Sequence, residues 1–192
     1  STLVVIPTML SSAQNVEALV ESLEIRFLAN RDNNLHFALL TDFLDAHEEK
    51  TAADDALVRL AKMRIEELND KYSGTKGGTF FLFHRPRKWN PEEQIWMGYE
   101  RKRGKIAQLN AFLRGSAKDC FSHVIGIAEI LSNVKYVITL DTDTQLPRDS
   151  AQQFEPHQTP SGAYACFPKK CLKVFRDIHR RYPERFSRLF PC

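Results

Sequence analysis

Apolar runs of strand length alternate with segments of helical periodicity over the first 140 residues. The apolar runs are residues 3–6, 35–40, 79–83 and 135–140. Between them, residues 16–28 and 54–72 carry apolar side chains at three- and four-residue spacing, as one face of a helix does. Strands that alternate with helices predict an α/β fold with a Rossmann-like, mostly parallel sheet flanked by helices.

The other segments have weaker patterns. Residues 8–12 are predicted as a loop, with Asn15 as the cap of the following helix. Residues 84–103 are basic and aromatic and are predicted as a loop, followed by short helices at about 105–113 and 123–131. The segment after residue 150 is rich in proline and shows no strand pattern, only a weak helical pattern at 172–179. We therefore divide the chain into a domain at 1–150 and a tail at 151–192.

Composition and charge narrow the class of protein. Hydrophobic residues make up 43% of the chain and charged residues 27%, which is typical of a soluble globular protein. The net charge of +3 gives no reason to expect a nucleic acid partner. The longest apolar runs are far shorter than the roughly 18 residues of a membrane helix. The chain opens on Ser1 and lacks an initiator Met, so we expect a segment of a longer protein.

Polar side chains follow the predicted strands. Thr8, Asp42, His84 and the pair Asp141 and Asp143 each stand at or just beyond the end of an apolar run. The carboxyl ends of parallel strands meet at one rim of a sheet, where α/β proteins bind ligands. The sequence therefore predicts one site that contains these residues.

Asp141-Thr142-Asp143 is the strongest chemical signal, and it fits two enzyme classes. Two carboxylates at a strand end suit Mg²⁺ or Mn²⁺, which would neutralise a nucleoside diphosphate leaving group. The same letters, read as Asp-x-Asp-x-Thr, fit haloacid-dehalogenase-like phosphatases, in which Asp141 would be the nucleophile. That phosphatase motif normally lies on the first strand of its fold, whereas here only a tail follows it. Carboxylates at this place also serve simply as turn or helix caps.

Two further features have a functional and a plain structural interpretation. Asp42 is either a hydrogen-bond acceptor for a base or ribose, or a turn cap. The run from Arg101 to Lys105, which contains a glycine and opens a helix, is either a diphosphate site or a solvated basic surface. Trp89 and Trp96 either stack on a ligand or anchor the loop.

Five stretches of the sequence together resemble the glycosyltransferase domain of cyclic β-1,2-glucan synthases. They are residues 4–9 (VVIPTM), 37–43 (FALLTDF), 80–91 (FFLFHRPRKWNP), 96–105 (WMGYERKRGK) and 136–149 (YVITLDTDTQLPRD). The first also resembles the opening strand of family 2-like glycosyltransferases in general. The resemblance covers about residues 3–150, and its long motifs are far more specific than a lone Asp-x-Asp.

This resemblance implies a fold, a reaction and a site. The fold is GT-A, truncated after the strand that carries the Asp-x-Asp motif. The reaction is inverting transfer of glucose from UDP-glucose to a glucan acceptor, with Mg²⁺ or Mn²⁺ as cofactor. The donor nucleotide would be held by the following residues: Pro7, Thr8, Asp42, Arg103, Lys105 and Asp141. The metal would be held by Asp141 and Asp143, with Asp143 as the preferred direct ligand.

The resemblance also implies what surrounds the chain. Such synthases are large membrane-bound enzymes. We therefore expect this chain to be a soluble segment whose partner is the rest of such a synthase, at the cytoplasmic side of the bacterial inner membrane. Residues 151–192 match no part of the family. The general base that an inverting transfer requires therefore has no candidate, and we expect donor binding without turnover. A non-catalytic nucleotide-binding module is the remaining alternative.

Overall fold

The computed structural model describes residues 1–74, 79–116, 118–153 and 173–176. Its strands are β1 (Thr2–Leu10), β2 (Leu35–Phe43), β3 (Phe80–His84), β4 (Lys88–Asn90), β5 (Ile95–Met97), β6 (His123–Ile125), β7 (Tyr136–Thr139) and β8 (Lys173–Arg176). Six of them form one sheet in the order β6-β3-β2-β1-β7-β8. The four central strands are parallel, whereas β6 and β8 pair antiparallel at the two edges. β4 and β5 form a separate antiparallel hairpin.

Helices cover both faces of the sheet. They are α1 (Ala13–Ala29), α2 (Asp54–Lys71), α3 (Arg101–Leu113), α4 (Ala128–Leu131) and α5 (Ser150–Gln153). Successive side chains of a strand point to opposite faces, so the apolar runs of the central strands fill two cores. Val4 and Ile6 pack on the side of α1 and α2. Leu3 and Val5 pack on the side of α3. The predicted α/β class and its mostly parallel sheet are confirmed.

The chain changes direction across the sheet beside β1. It passes from β1 through α1 to β2 and through α2 to β3, and later returns to place β7 on the other side of β1. A crevice opens at the carboxyl ends of the strands at such a switch point, and α/β proteins bind ligands there. Asp141 follows β7 closely and therefore lies at this crevice.

Two boundaries at the start of the chain were predicted wrongly. Residues 8–10 are not a loop, because β1 continues to Leu10 and pairs with β2 along its whole length. Ser12, rather than Asn15, caps α1: its side-chain oxygen accepts a hydrogen bond from the Asn15 amide at 3.1 Å. The short polar residue before the first turn does what an N-cap does, and Asn15 already lies inside the helix.

The middle of the chain holds more structure than its sequence pattern indicated. The predicted loop at 84–103 contains the β4–β5 hairpin, and α3 begins at Arg101 instead of Lys105. The predicted helix at 123–131 is divided into edge strand β6 and the single turn of α4. Gly126 separates them with a φ of +121°, which ends the strand and is readily adopted only by glycine.

The tail contains a strand where the sequence favoured a weak helix. Residues 173–176 form β8 and pair with β7. Pairing with an edge that is already folded outweighs a weak local preference. The other tail residues beyond Gln153 lie outside the described residues, and so does the rest of the predicted helix at 172–179. Within the described part of the chain, no helix is long and apolar enough to span a bilayer.

Candidate functional site

The first turns of α3 connect the carboxyl ends of three strands. The Lys105 ammonium lies 2.9 Å from Asp42 Oδ2, near the end of β2, and 2.5 Å from the Thr8 carbonyl oxygen in β1. Lys102, one turn earlier on the same helix, forms an ion pair with Asp141 just after β7. Helix α3 therefore links three positions of the predicted rim, Thr8, Asp42 and Asp141, at the switch point.

Asp42 is buried within a cluster of charges. Arg85 binds its carboxylate with two parallel hydrogen bonds, from Nε to Oδ1 at 2.7 Å and from Nη2 to Oδ2 at 2.9 Å. Asp42, Arg85 and Lys105, which we call the Asp42 cluster, are each at least 97% buried. The cluster contains two cations and one carboxylate. Burial lowers the pKa of Lys105, and the charge of Asp42 opposes that shift.

Arg85 also ties the Asp42 cluster to the approach of α3. Its Nη1 donates to Gln108 Oε1 at 2.7 Å and to the Tyr99 carbonyl at 3.2 Å, and its Nη2 donates to the Arg101 carbonyl. Gly98 packs so closely on Asp42 that an added Cβ would lie 2.4 Å from Oδ2. The hairpin, α3 and β2 are thus held in one arrangement around a single carboxylate.

A buried arginine supports the loop that follows β7. Arg26 of α1 donates from Nη2 to the carbonyl oxygens of Thr142 and Thr144, both at 2.8 Å. The Thr144 amide closes the turn on the Asp141 carbonyl at 2.9 Å. Asp141 and Asp143 are exposed on this loop, whereas Thr144 is buried. The backbone of the loop is therefore fixed from inside while its two carboxylates face outward.

The other predicted donor-site residues occupy different positions. Pro7 is buried inside β1 opposite Leu40, so it lies in the sheet rather than ending the strand. Thr8 meets the site through its backbone carbonyl. Arg103 is exposed in the first turn of α3, where it forms an ion pair with Glu100.

The two tryptophans lie on the β4–β5 hairpin. Trp89 of β4 and Trp96 of β5 face each other with ring centroids 5.8 Å apart. Trp96 also bridges to Ala46 through two backbone hydrogen bonds of 2.9 Å. The pair anchors the hairpin, and Trp89 retains 46% exposure, which leaves part of its ring open to a ligand.

Sequence reasoning missed the two arginines that hold the site. Arg85 was noticed only as part of a basic, aromatic stretch. Arg26 stands three residues after Leu23 and seven after Leu19, on the core-facing side of α1. A charged side chain on the apolar face of a helix requires a buried polar partner. The position of Arg26 among the apolar residues of α1 could therefore have indicated its role from the sequence.

Asp141 and Asp143 are the residues of this site that would hold a divalent cation, if one binds together with a phosphate. Among the described residues, no group of three or more His, Cys, Asp or Glu side chains comes together as a metal site. Mg²⁺ commonly binds through one or two carboxylates and completes its shell with substrate phosphates and water. The loop after β7 carries two exposed carboxylates, Asp141 and Asp143.

His84, beneath the rim, predicts a pH dependence of stability. Burial lowers its pKa from 6.5 to about 4, although Asp42 opposes the shift, and its Nδ1 lies 2.9 Å from Thr41 Oγ1. A depressed pKa in the folded state gives stability that is complete above pH 6.5 and is lost as the pH falls toward 4. We expect this residue alone to account for a loss of about 3 kcal/mol at pH 4.

Urea denaturation between pH 7 and pH 4 checks this expectation. His84→Gln is expected to flatten the decline in the free energy of unfolding, and His47→Gln, at an exposed position, is expected to leave it unchanged. An identical decline in the wild type and His84→Gln would show that His84 does not titrate in this range.

Fold and site define an α/β protein with buried cations and exposed carboxylates at the switch point of a mostly parallel sheet. No family model matches the chain. Over 149 residues, the chain is 42% identical to the cyclic β-(1,2)-glucan synthase NdvB of Rhizobium meliloti (strain 1021). The match covers 78% of this chain and 5% of that synthase. The chain is thus related to a cyclic glucan synthase and spans a small part of its length.

Proposed function

We propose that this chain is the donor-binding part of a GT-A-type, inverting glycosyltransferase that uses UDP-glucose in β-1,2-glucan synthesis. One observation carries the proposal: α3 binds Asp42 through Lys105 and Asp141 through Lys102, at the switch point of the sheet. The identity of 42% to a cyclic β-(1,2)-glucan synthase supports the choice of reaction. Transfer with inversion and the identity of the donor come from the sequence resemblance.

Asp141 and Asp143 are proposed to hold Mg²⁺ or Mn²⁺ together with the diphosphate. When bound, such a cation supplies positive charge to the departing nucleoside diphosphate. Asp143 is proposed as the preferred direct ligand, as the sequence resemblance implies, and Lys102 forms an ion pair with Asp141 beside it. Arg103, in the first turn of α3, adds a cation beside the helix N-terminus, where the helix dipole also favours phosphate.

Asp42 is proposed to contact the uridine through its remaining lone pair. A carboxylate has about four acceptor positions. Arg85 and Lys105 occupy one position on Oδ1 and two on Oδ2. One position on Oδ1 therefore remains for a base or ribose. Asp42 is 3% exposed, so this contact requires the segment that covers the carboxylate to move aside when the donor binds. Lys105 is 3% exposed, so we propose that it acts on the phosphates through its field and by holding Thr8, while Pro7 stiffens β1 below it.

The whole protein would work as a larger assembly. We propose that this chain operates with the remainder of a membrane-bound synthase, at the cytoplasmic face of a bacterial inner membrane, with a glucan acceptor and without nucleic acid. The basis is the relation to the synthase, of which the chain covers 5%. The sequence resemblance supplies no general base, so we expect the isolated chain to bind its donor without transferring glucose.

Calorimetric titration with UDP-glucose, with and without Mn²⁺, tests the donor site. We expect the wild type to bind only with Mn²⁺. Asp143→Ala is expected to weaken binding by about 100-fold or more, because loss of even an indirect metal contact typically costs 10- to 100-fold. Asp119→Ala removes an exposed carboxylate outside the site and is expected to bind as the wild type does.

Three results would contradict parts of this proposal. Absence of wild-type binding under both conditions would reject the donor site. Glucose transfer by the isolated chain would reject the idea that it only binds. Hydrolysis of an aryl phosphate that is lost in Asp141→Asn would favour the phosphatase chemistry instead.

A further inference from the structure

Arg26 is buried and directs its donors at the backbone. Its side chain lies in α1 and is 6% exposed. Nη1 donates to the Ser22 carbonyl at 2.9 Å, within its own helix. Nη2 and Nε reach the Thr144 carbonyl at 2.8 and 3.3 Å, and Nη2 also reaches the Thr142 carbonyl at 2.8 Å. The residue thus joins α1 to a loop more than 110 positions later in the chain.

Arg26 contacts the two residues that flank Asp143 in the sequence. The two carbonyls that it binds belong to Thr142 and Thr144, the residues on either side of Asp143. Asn30, the residue that caps the end of α1, accepts from the Ala151 amide at 3.1 Å and donates to the Leu146 carbonyl at 3.4 Å. Within the described residues, Arg26 makes no salt bridge. Its charge is therefore met by carbonyl dipoles of the loop that carries the two carboxylates.

We propose that Arg26 is a positioning residue that sets the backbone of residues 142–144, so that Asp143 and Asp141 present their carboxylates together to a divalent cation. This inference rests on the proposed function, which assigns the cation to these residues. A backbone that is already held on both sides of a ligand residue loses little conformational entropy when the cation binds. The fork of a guanidinium reaches two carbonyls at once, which a lysine ammonium, as a compact point charge, does less well.

Substitution of Arg26 is expected to lower the affinity for a divalent cation, and this loss should exceed what a general loss of thermal stability produces. We expect Arg26→Gln to lower the affinity for Mn²⁺ alone by about 10- to 100-fold, as other outer-sphere supports of metal ligands do. Arg26→Lys is expected to fall between Arg26→Gln and the wild type. Val20→Ala creates a small cavity on the same helix, away from the loop, and is expected to reduce thermal stability while Mn²⁺ affinity stays unchanged.

Water-proton relaxation measures Mn²⁺ affinity, and amide hydrogen exchange measures the loop itself. The Thr144 amide donates to the Asp141 carbonyl, so its exchange reports whether the turn stays closed. We expect faster exchange at Thr144 in Arg26→Gln and wild-type exchange in Val20→Ala. Both experiments use the full chain, and the hydrogen-exchange experiment needs no metal.

Together, the Mn²⁺ affinity and the hydrogen exchange distinguish a failure of the positioning role from a failure of the proposed function. If the wild type binds Mn²⁺ and Arg26→Gln binds it equally well, the positioning role is overturned. If Val20→Ala loses Mn²⁺ affinity as much as Arg26→Gln does, the effect is one of general stability and the inference also fails. If the wild type binds Mn²⁺ neither alone nor together with UDP-glucose, the proposed function fails; unchanged exchange at Thr144 in Arg26→Gln would then reject the clamp as well.

Discussion

Asp42→Ala is expected to lower the free energy of unfolding by about 3–5 kcal/mol, because it leaves Arg85 and Lys105 buried without a carboxylate. Both cations are at least 97% buried, so water cannot replace the lost partner without opening the site. The two positive charges would also repel each other once the carboxylate between them is gone. This effect is much larger than that of an exposed ion pair such as Lys62 with Glu66.

A second substitution separates charge from packing in that result. Lys105→Met, introduced into Asp42→Ala, removes one of the two uncompensated cations and is expected to recover part of the lost stability. Asp119→Ala serves as the exposed carboxylate control. Urea denaturation measures all of these variants. If Lys105→Met destabilised Asp42→Ala further, the cluster would not carry an excess of positive charge.

The size of this effect governs how Asp42 should be tested for ligand binding. Loss of donor binding in Asp42→Ala would follow from a disturbed fold whether or not the carboxylate contacts uridine. Asp42→Asn keeps the shape of the side chain and one acceptor oxygen, but it also removes the charge shared by Arg85 and Lys105, so its stability is measured beside its binding. A binding defect in Asp42→Asn with a near-native thermal transition would support a direct contact.

Phe27→Ala is expected to destabilise the fold by about 3–5 kcal/mol, because Phe27 is fully buried where α1 meets the sheet. Its ring lies edge-on to those of Phe80, at 5.0 Å between centroids, Tyr72, at 4.8 Å, and Phe37, at 6.0 Å. Truncation removes these contacts and leaves a cavity that a sheet and two helices cannot readily close. The adjacent Arg26 is not altered.

The next residue on the same helix supplies the control. Leu28 is 45% exposed, and Leu28→Ala is expected to change the free energy of unfolding by less than about 1 kcal/mol. Thermal or urea denaturation compares the two variants. Similar losses in both would mean that α1 does not pack on the sheet through the Phe27 face.

The site is supported by buried guanidinium groups from two different layers. Arg85 extends from the end of β3 and holds Asp42 with the approach to α3. Arg26 extends from α1, on the other face of the sheet, and holds the Asp141–Thr144 turn. The start of α3 lies between them and contacts Asp141 through the exposed Lys102 and Asp42 through the buried Lys105. A change in either arginine is therefore expected to disturb a different half of the rim.

Sequence patterns located the main elements and the polar rim. The sheet strands are buried on both faces, so they read as continuous apolar runs, and α1 and α2 show helical spacing. The edges were less visible, because β6 and β8 are short and gain their stability from pairing rather than from their own composition. The hairpin at 88–97 was missed for the same reason.

By itself, the sequence determined the α/β class, the position of Asp42, Asp141 and Asp143 at strand ends, and the relation to cyclic glucan synthases. Those features depend on local order along the chain. Only the tertiary structure decided which charges meet. Arg85 lies 43 residues from Asp42, and Arg26 lies 118 residues from Thr144. A buried charge requires a polar partner. Which partner it meets depends on how the strands and helices pack together, and the local sequence pattern does not encode that packing.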